Sequence, residues 1–170
     1  SGMILKSTSL LPHINAGVMS VADLKKLKQV SVSQGLMLES ISSRLLERGS
    51  AHYGSPDKVP QVRLEMIKQA GELKIPFTSG ILIGIGENRQ ERVEALLALR
   101  ELHEKYGHLQ EIIIQNFKAK LGTPMQFHAE PELEEILWTV AVARILFGPE
   151  MNIQTPPNLN ANDIDKILDA

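Results

Sequence analysis

The stretch Ile75–Ile85 (Ile-Pro-Phe-Thr-Ser-Gly-Ile-Leu-Ile-Gly-Ile) restricts the fold more than any other part of the chain. It is nearly continuous in apolar character, the pattern of a strand covered on both faces in a parallel sheet. Other β-rich runs, Val30–Leu38, Leu109–Phe117 and Met151–Thr155, are separated from it by amphipathic segments. Ser20 can cap a helix to Gln29 with Leu24 and Leu27 as its stripe. A short helix fits Ser42–Glu47, and Pro60 suits the first turn of a helix to Leu73. Asn88 with Glu91 has the spacing of a capping box that opens a helix to Tyr106. Pro131 opens a further helix through Leu146, and a last one is expected at about Asn162–Leu168. The alternation predicts an α/β fold with about four parallel strands and covering helices, either a doubly wound sheet or part of a (β/α) barrel. At 170 residues without a linker or low-complexity tract, residues 1–170 are expected to form a single domain, with Ser1-Gly2 ahead of Met3 read as a cloning remnant.

Composition removes several chemistries. The chain has no cysteine, which excludes a disulfide scaffold, a thiolate zinc site, a cysteine nucleophile and a cysteine-ligated iron–sulfur cluster. A net charge of −2 gives no field for a phosphate backbone, so nucleic acid is not expected as a partner. The longest apolar run is far short of the roughly 20 residues of a membrane span, and no secretory signal is visible, so a soluble cytoplasmic chain is expected. The five histidines show no metal-ligand or triad spacing, and no metal ligand is expected. Most of them are expected at the surface or in loops. His13 is the exception, in the proline- and glycine-punctuated loop Leu10–Gly17.

Parallel α/β enzymes place polar chemistry past the carboxyl ends of their strands. Here those ends carry Glu39-Ser40, Gly84-Ile85-Gly86-Glu87, Gln115-Asn116-Phe117-Lys118 and Gln154-Thr155-Pro156-Pro157-Asn158. Strands also turn polar simply on reaching solvent, an even match for any single end but not for all four. Gly84-x-Gly86 lacks the third glycine of a dinucleotide fingerprint, since Arg89 stands in its place, and Glu87 would repel a pyrophosphate. The glycines can instead admit a flat ligand to the backbone, with Ile83 or Ile85 as its apolar face. Glu87 could bond a ligand hydroxyl or amine, or simply sit at the positive end of the next helix.

The run Gly80-Ile81-Leu82-Ile83-Gly84-Ile85-Gly86-Glu87 resembles the fifth-strand motif of radical S-adenosylmethionine enzymes. Together with Leu10–Gly17, Gly35–Glu39, His52–Lys58, Ile75–Gly80, Gln115–Phe117 and Gln154–Leu159, it is similar to the ring-closing component of the FO synthase (7,8-didemethyl-8-hydroxy-5-deazariboflavin synthase) family, from about Leu10 to Ala170. The resemblance implies a (β/α) TIM-type barrel that binds S-adenosylmethionine and a [4Fe-4S] cluster. It implies a lyase reaction in coenzyme F420 biosynthesis, in which a 5′-deoxyadenosyl radical acts on a 4-hydroxybenzyl/ribitylamino-uracil adduct and ring closure with ammonia loss gives the deazaflavin FO. By that resemblance Glu39 contacts the ribose or amino-acid part of the cofactor, Gly80 and Gly84 belong to the cofactor motif, Ile83 or Ile85 lines adenine, and Glu87 closes that end. His13, Asn15, Gln115, Asn116, Gln154 and Asn158 face the substrate.

The family's cluster motif, CxxxCxxC after the first strand, has no counterpart here. What matches is the back half of a barrel, from near the end of the third strand to before the eighth. Such a chain is expected to be inactive alone, because no residue can hold the cluster; the alternative is a non-catalytic module that keeps a partial adenosyl pocket. Four parallel strands also leave two open edges and an exposed interior, so two copies are expected to associate and rebuild an eight-stranded closure.

Overall fold

The computed structural model describes residues 1–160 and 163–169. Five parallel strands form one open sheet in sequential order: β1 (His13–Ile14), β2 (Ser33–Gly35), β3 (Phe77–Ile83), β4 (Leu109–Asn116) and β5 (Asn152–Gln154). Around them run α1 (Gly2–Ser7), α2 (Val21–Lys28), α3 (Pro60–Glu72), α4 (Arg89–Tyr106), α5 (Leu133–Phe147) and α6 (Ile164–Leu168). Parallel neighbours joined in order through helices, in a sheet that does not close, make a partial (β/α) barrel.

Several local expectations hold for the reasons given. Ser20 caps α2 by accepting from the Asp23 amide at 3.2 Å. Asn88 and Glu91 form the full reciprocal box, at 2.9 Å from the Glu91 amide to Asn88 Oδ1 and 2.8 Å from the Asn88 amide to Glu91 Oε2. Gly107 ends α4 in the left-handed region at φ 63°.

The strand count was short by one. Leu10–Gly17 contains β1, whose two residues pair with Ser33 and Gln34 and are too few to show an alternating pattern. The strand expected over Val30–Leu38 is regular only at Ser33–Gly35. Its start is taken by the end of α2, where the Val30 amide bonds to the Leu27 carbonyl at 3.0 Å. Its end is bulged. The Leu38 amide bonds to Ser79 Oγ (3.2 Å) rather than to a carbonyl, and backbone pairing resumes at Glu39 opposite Ile81. Pro131 does not open α5, which begins at Leu133. Gly2, read as part of a remnant, opens α1, which buries no residue. The expected start of the last helix at Asn162 lies outside the described residues.

The core lies on one side of the sheet. Phe77, Ser79, Ile81 and Ile83 of β3 and Ile112, Ile114 and Asn116 of β4 are at most 2% exposed. They pack with Leu24 of α2, Met66 and Ile67 of α3, Leu96 and Leu99 of α4, and Ile136 and Val140 of α5. The other face carries Thr78, Leu82, Glu111, Ile113, Gln115 and Gln154, all half-buried. The apolar run Ile75–Ile85 thus has helices over one face only.

Candidate functional site

Past β3 the chain turns through Gly84 (φ 88°) and Gly86 (φ 110°), conformations that side chains resist. A Cβ on Gly84 would also lie 2.5 Å from Pro131 Cδ, so the close packing of Pro131 requires glycine there. Glu87 holds this turn. Its carboxylate accepts from the Gly84 amide at 2.8 Å, the Ile85 amide at 2.9 Å and Arg92 Nε at 2.7 Å, with its side chain only 2% exposed. Arg92 passes the contact on to Glu135 of α5 at 2.6 Å. Both oxygens of Glu87 are therefore engaged in shaping the backbone on which Ile85 stands.

Glu39 follows the bulge after β2 with φ 66°, a left-handed conformation that is uncommon away from glycine. Its carboxylate pairs with Lys58, with His52 Nε2 at 3.0 Å and with Arg63 Nη1 at 3.2 Å. Burial pushes its pKa up, but hydrogen bonds from His52 and Lys58 and the charges of Arg63 and Lys58 outweigh that and bring it down to about 2. Arg63 also donates to the Met37 carbonyl inside the bulge and, at 2.7 Å, to the Asp57 carbonyl, so one buried guanidinium fixes both the bulge and the His52–Lys58 segment. His52 and His108 both lie in loops, as expected for most of the histidines, yet both are buried; His108 lies against Tyr106 and Phe77.

A cleft of about 830 Å³ opens at the carboxyl ends of β3 and β4. Ile85 and Gly86 form one part of its wall, Phe117 and Lys118 another. Leu45 and Tyr53 reach it from the segment after Glu39, and Met125, Phe127 and His128 from the loop after β4. The His128 ring stands edge-on to Phe117 at 5.7 Å between centroids. The neck of that loop is closed by Glu130, which accepts from Lys118 Nζ at 2.7 Å and from the Ala119 amide at 3.0 Å. A cleft of this size, mostly apolar with a few polar groups, suits a nucleoside-sized ligand.

The residues singled out from sequence separate into groups. Ile85 lines the cleft, whereas Ile83 is wholly buried in the core beneath the helices. Gly80 sits mid-strand, where a Cβ would overlap the backbone of Ile113. His13, Gln115 and Gln154 share the uncovered sheet face: His13 Nδ1 meets Ser33 Oγ at 2.8 Å, and the Gln154 amide, turned to donate, faces Glu111 at 3.3 Å. Asn116 points to the helix side instead, where it accepts from Asn160 Nδ2 at 2.9 Å. Asn15 and Asn158 are exposed in the segments after β1 and β5. Reading strand ends alone missed Arg63, Phe127 and His128; the loop of about a dozen residues before Pro131 was the available signal, since loops of that length are uncommon and often functional.

The adenosyl part of S-adenosylmethionine fits this end of the sheet, where Ile85 and Gly86 offer an apolar side chain and bare backbone to a roomy cleft. An iron–sulfur cluster does not fit: the sequence has no cysteine, and among the described residues no three His, Asp or Glu side chains converge. Nor, among the described residues, is any helix long and apolar enough to cross a membrane.

No family model matches this chain. It is 56% identical over 151 residues to the 7,8-didemethyl-8-hydroxy-5-deazariboflavin synthase of Methanothermobacter thermautotrophicus, a match covering 89% of this chain and 45% of that protein. It is 53% identical over 161 residues to the FO synthase of Mycobacterium tuberculosis, covering 94% of this chain and 19% of that protein. Among solved structures, the FeFe-hydrogenase maturase HydG from Carboxydothermus hydrogenoformans superposes with a TM-score of 0.76 at 19% identity, over 97% of this chain and 39% of that one. Methylornithine synthase gives 0.72 at 19% identity, over 89% and 42%. In sequence, then, this chain corresponds to a segment of the FO synthases, matched over about nine-tenths of its own length and spanning less than half of theirs.

Proposed function

We propose that this chain supplies the back half of a radical S-adenosylmethionine barrel of the FO synthase type, the part that receives the adenosyl group and one side of the substrate. The observation that carries the reading is the 56% identity to a deazaflavin synthase across 89% of the chain. In this reading Ile85 and Gly86 meet adenine in the cleft, and the Glu39 cluster lies toward the ribose or amino-acid part of the cofactor. His13, Gln115 and Gln154, which share one sheet face, turn toward the 4-hydroxybenzyl/ribitylamino-uracil adduct. S-adenosylmethionine and the [4Fe-4S] cluster supply the radical chemistry in the family; no step through the cluster is assigned to this chain, which has no ligand for it.

The chain alone is therefore expected to be inactive. After anaerobic reconstitution with iron and sulfide, it should develop no cluster absorbance and release no 5′-deoxyadenosine from S-adenosylmethionine; formation of both would overturn the reading of a cluster-free half. Titration calorimetry tests the adenosyl site separately. Saturable heat with S-adenosylmethionine is expected, and its absence would reduce the chain to an α/β domain with no adenosyl site. The lack of cysteine favours a second reading, a non-catalytic module that keeps a partial adenosyl pocket. That module would also bind S-adenosylmethionine, but supplying the missing barrel segment would not restore FO formation.

A further inference from the structure

We infer that the loop Lys118–Glu130 is a hinged flap that folds Phe127 onto a ring of the ligand held in the cleft at the carboxyl ends of β3 and β4. The inference rests on the adenosyl reading of that cleft and adds the part that moves. Both feet of the loop are fixed to the body of the fold. The Phe117 amide donates to the Ile83 carbonyl at 2.8 Å. Pro131 packs so closely on Gly84 that no Cβ fits between them. Next to the feet, Glu130 accepts from Lys118 Nζ at 2.7 Å and from the Ala119 amide at 3.0 Å, which staples the outgoing and returning segments together.

Beyond that staple the loop bonds only to itself. Thr123 Oγ1 donates to the Lys120 carbonyl at 2.7 Å, the Gly122 amide to Gln126 Oε1 at 3.1 Å, and the His128 amide to the Met125 carbonyl at 3.0 Å. Among the described residues, no hydrogen bond joins any residue from Lys120 to His128 to the rest of the chain. The edge-on contact of His128 with Phe117 lies beside the neck. A compact loop with close ends and its own internal bonds swings as a unit about its neck rather than unravelling.

Exposure gives the direction of the motion. Phe127 lines the cleft and yet is 90% exposed, and Met125 lines the cleft with it. A phenyl ring at the wall of a cavity but still in water gains burial by moving inward, toward the part of the wall formed by Ile85 and Gly86. Leu121, on the same loop, is 91% exposed and does not line the cleft. Closure therefore encloses the ligand's ring between the Ile85 side chain and the Phe127 ring, an aliphatic face and an aromatic one.

The sequence itself supplies the probe. It has no cysteine and a single tryptophan, Trp138, which stands on α5 outside the flap. Leu121→Cys carrying a fluorescent acceptor thus makes one donor–acceptor pair between body and flap. On titration with S-adenosylmethionine, energy transfer from Trp138 should change saturably, with the same midpoint as the heat in calorimetry. Phe127→Ala should weaken binding by about tenfold or more, the worth of burying one phenyl side chain. The loss should come from faster dissociation, with the melting curve of the free chain unchanged because the ring is exposed there. Leu121→Ala should bind as the parent does. Heat without a change in transfer means a fixed loop and overturns the flap while leaving the adenosyl reading in place. Undiminished binding by Phe127→Ala overturns it as well; if that variant instead loses self-association by light scattering, the ring serves a protein surface. No heat with the parent overturns the adenosyl reading and, with it, closure on this ligand, so calorimetry tells the two failures apart.

Discussion

Replacing Glu87 by glutamine tests whether the turn after β3 is held by a buried charge. Glu87 satisfies two backbone amides and Arg92 with its side chain 2% exposed, and Arg92 is itself 6% exposed. A glutamine keeps one acceptor oxygen but turns an NH₂ group toward an amide or toward the guanidinium, both of which are donors. Breaking a buried ion pair costs about 3–5 kcal/mol. Arg92 keeps Glu135 at 2.6 Å and Thr139 at 3.4 Å, which puts the loss at the lower end, about 3 kcal/mol. With a urea m-value of about 2 kcal/mol/M for a domain of this size, the midpoint should fall by about 1.5 M. Glu65→Gln, which disrupts an exposed pair with Lys68, serves as the control and should leave the midpoint where it is. A Glu87→Gln midpoint within about 0.3 M of the parent would refute the reasoning, because it would mean that water or backbone adjustment replaces the carboxylate at no cost.

Three further outcomes follow from the same geometry. Glu39 has its pKa depressed from 4.5 to about 2, so it contributes stability that is present above about pH 4.5 and is lost as the pH falls toward 2; the unfolding free energy from urea titrations across that window should drop for the parent, by at most about 3 kcal/mol, and much less for Glu39→Gln. His108 is held below its ordinary 6.5, chiefly by burial, so the unfolded chain takes up a proton before the native one and stability should decline as the pH falls below 6.5. His108→Gln, which can still donate to the Ile67 carbonyl now 3.0 Å from the ring, should remove that decline in thermal melts. Gly80→Ala would force a Cβ into the Ile113 backbone between β3 and β4 and should cost about 3 kcal/mol or more, read as a lowered melting temperature or as insoluble product.

The parts of the fold legible in the sequence were those specified by local chemistry. The Asn88–Glu91 box, the Ser20 cap and the long apolar strand depend on residues a few positions apart. What escaped depends on distant partners. β1 exists because Ser33 and Gln34 lie beside it, and the bulge before Glu39 exists because Ser79 Oγ and Arg63 occupy the backbone groups that a regular strand would have paired. The site divides in the same way. Ile85 was reached through its glycine-flanked motif, whereas the cage around Glu39 joins residues 13, 19 and 24 positions further along the chain, a separation that spacing alone does not reveal. Asn116, placed by its position at a strand end, faces the helices because strand side chains alternate, and the phase of β4 puts it on the same side as Ile112 and Ile114.

That phase bears on how likeness should be weighed against activity. Along β3 and β4 the side chains that hold the layers together point one way, and the half-buried ones, among them Gln115, point the other. The helix side packs on residues of this chain, from Phe77 and Ile112 to Leu96 and Ile136. The opposite side carries Gln115, Gln154 and His13, half-buried or exposed, with no helix packed over them among the described residues. High identity to the relatives is therefore carried by residues that hold the fold as much as by those proposed to meet a ligand. Identity over the 151 matched residues counts both sides together, so it measures the fold first, and only substitutions confined to the uncovered face, such as Gln115→Ala, weigh the other side separately.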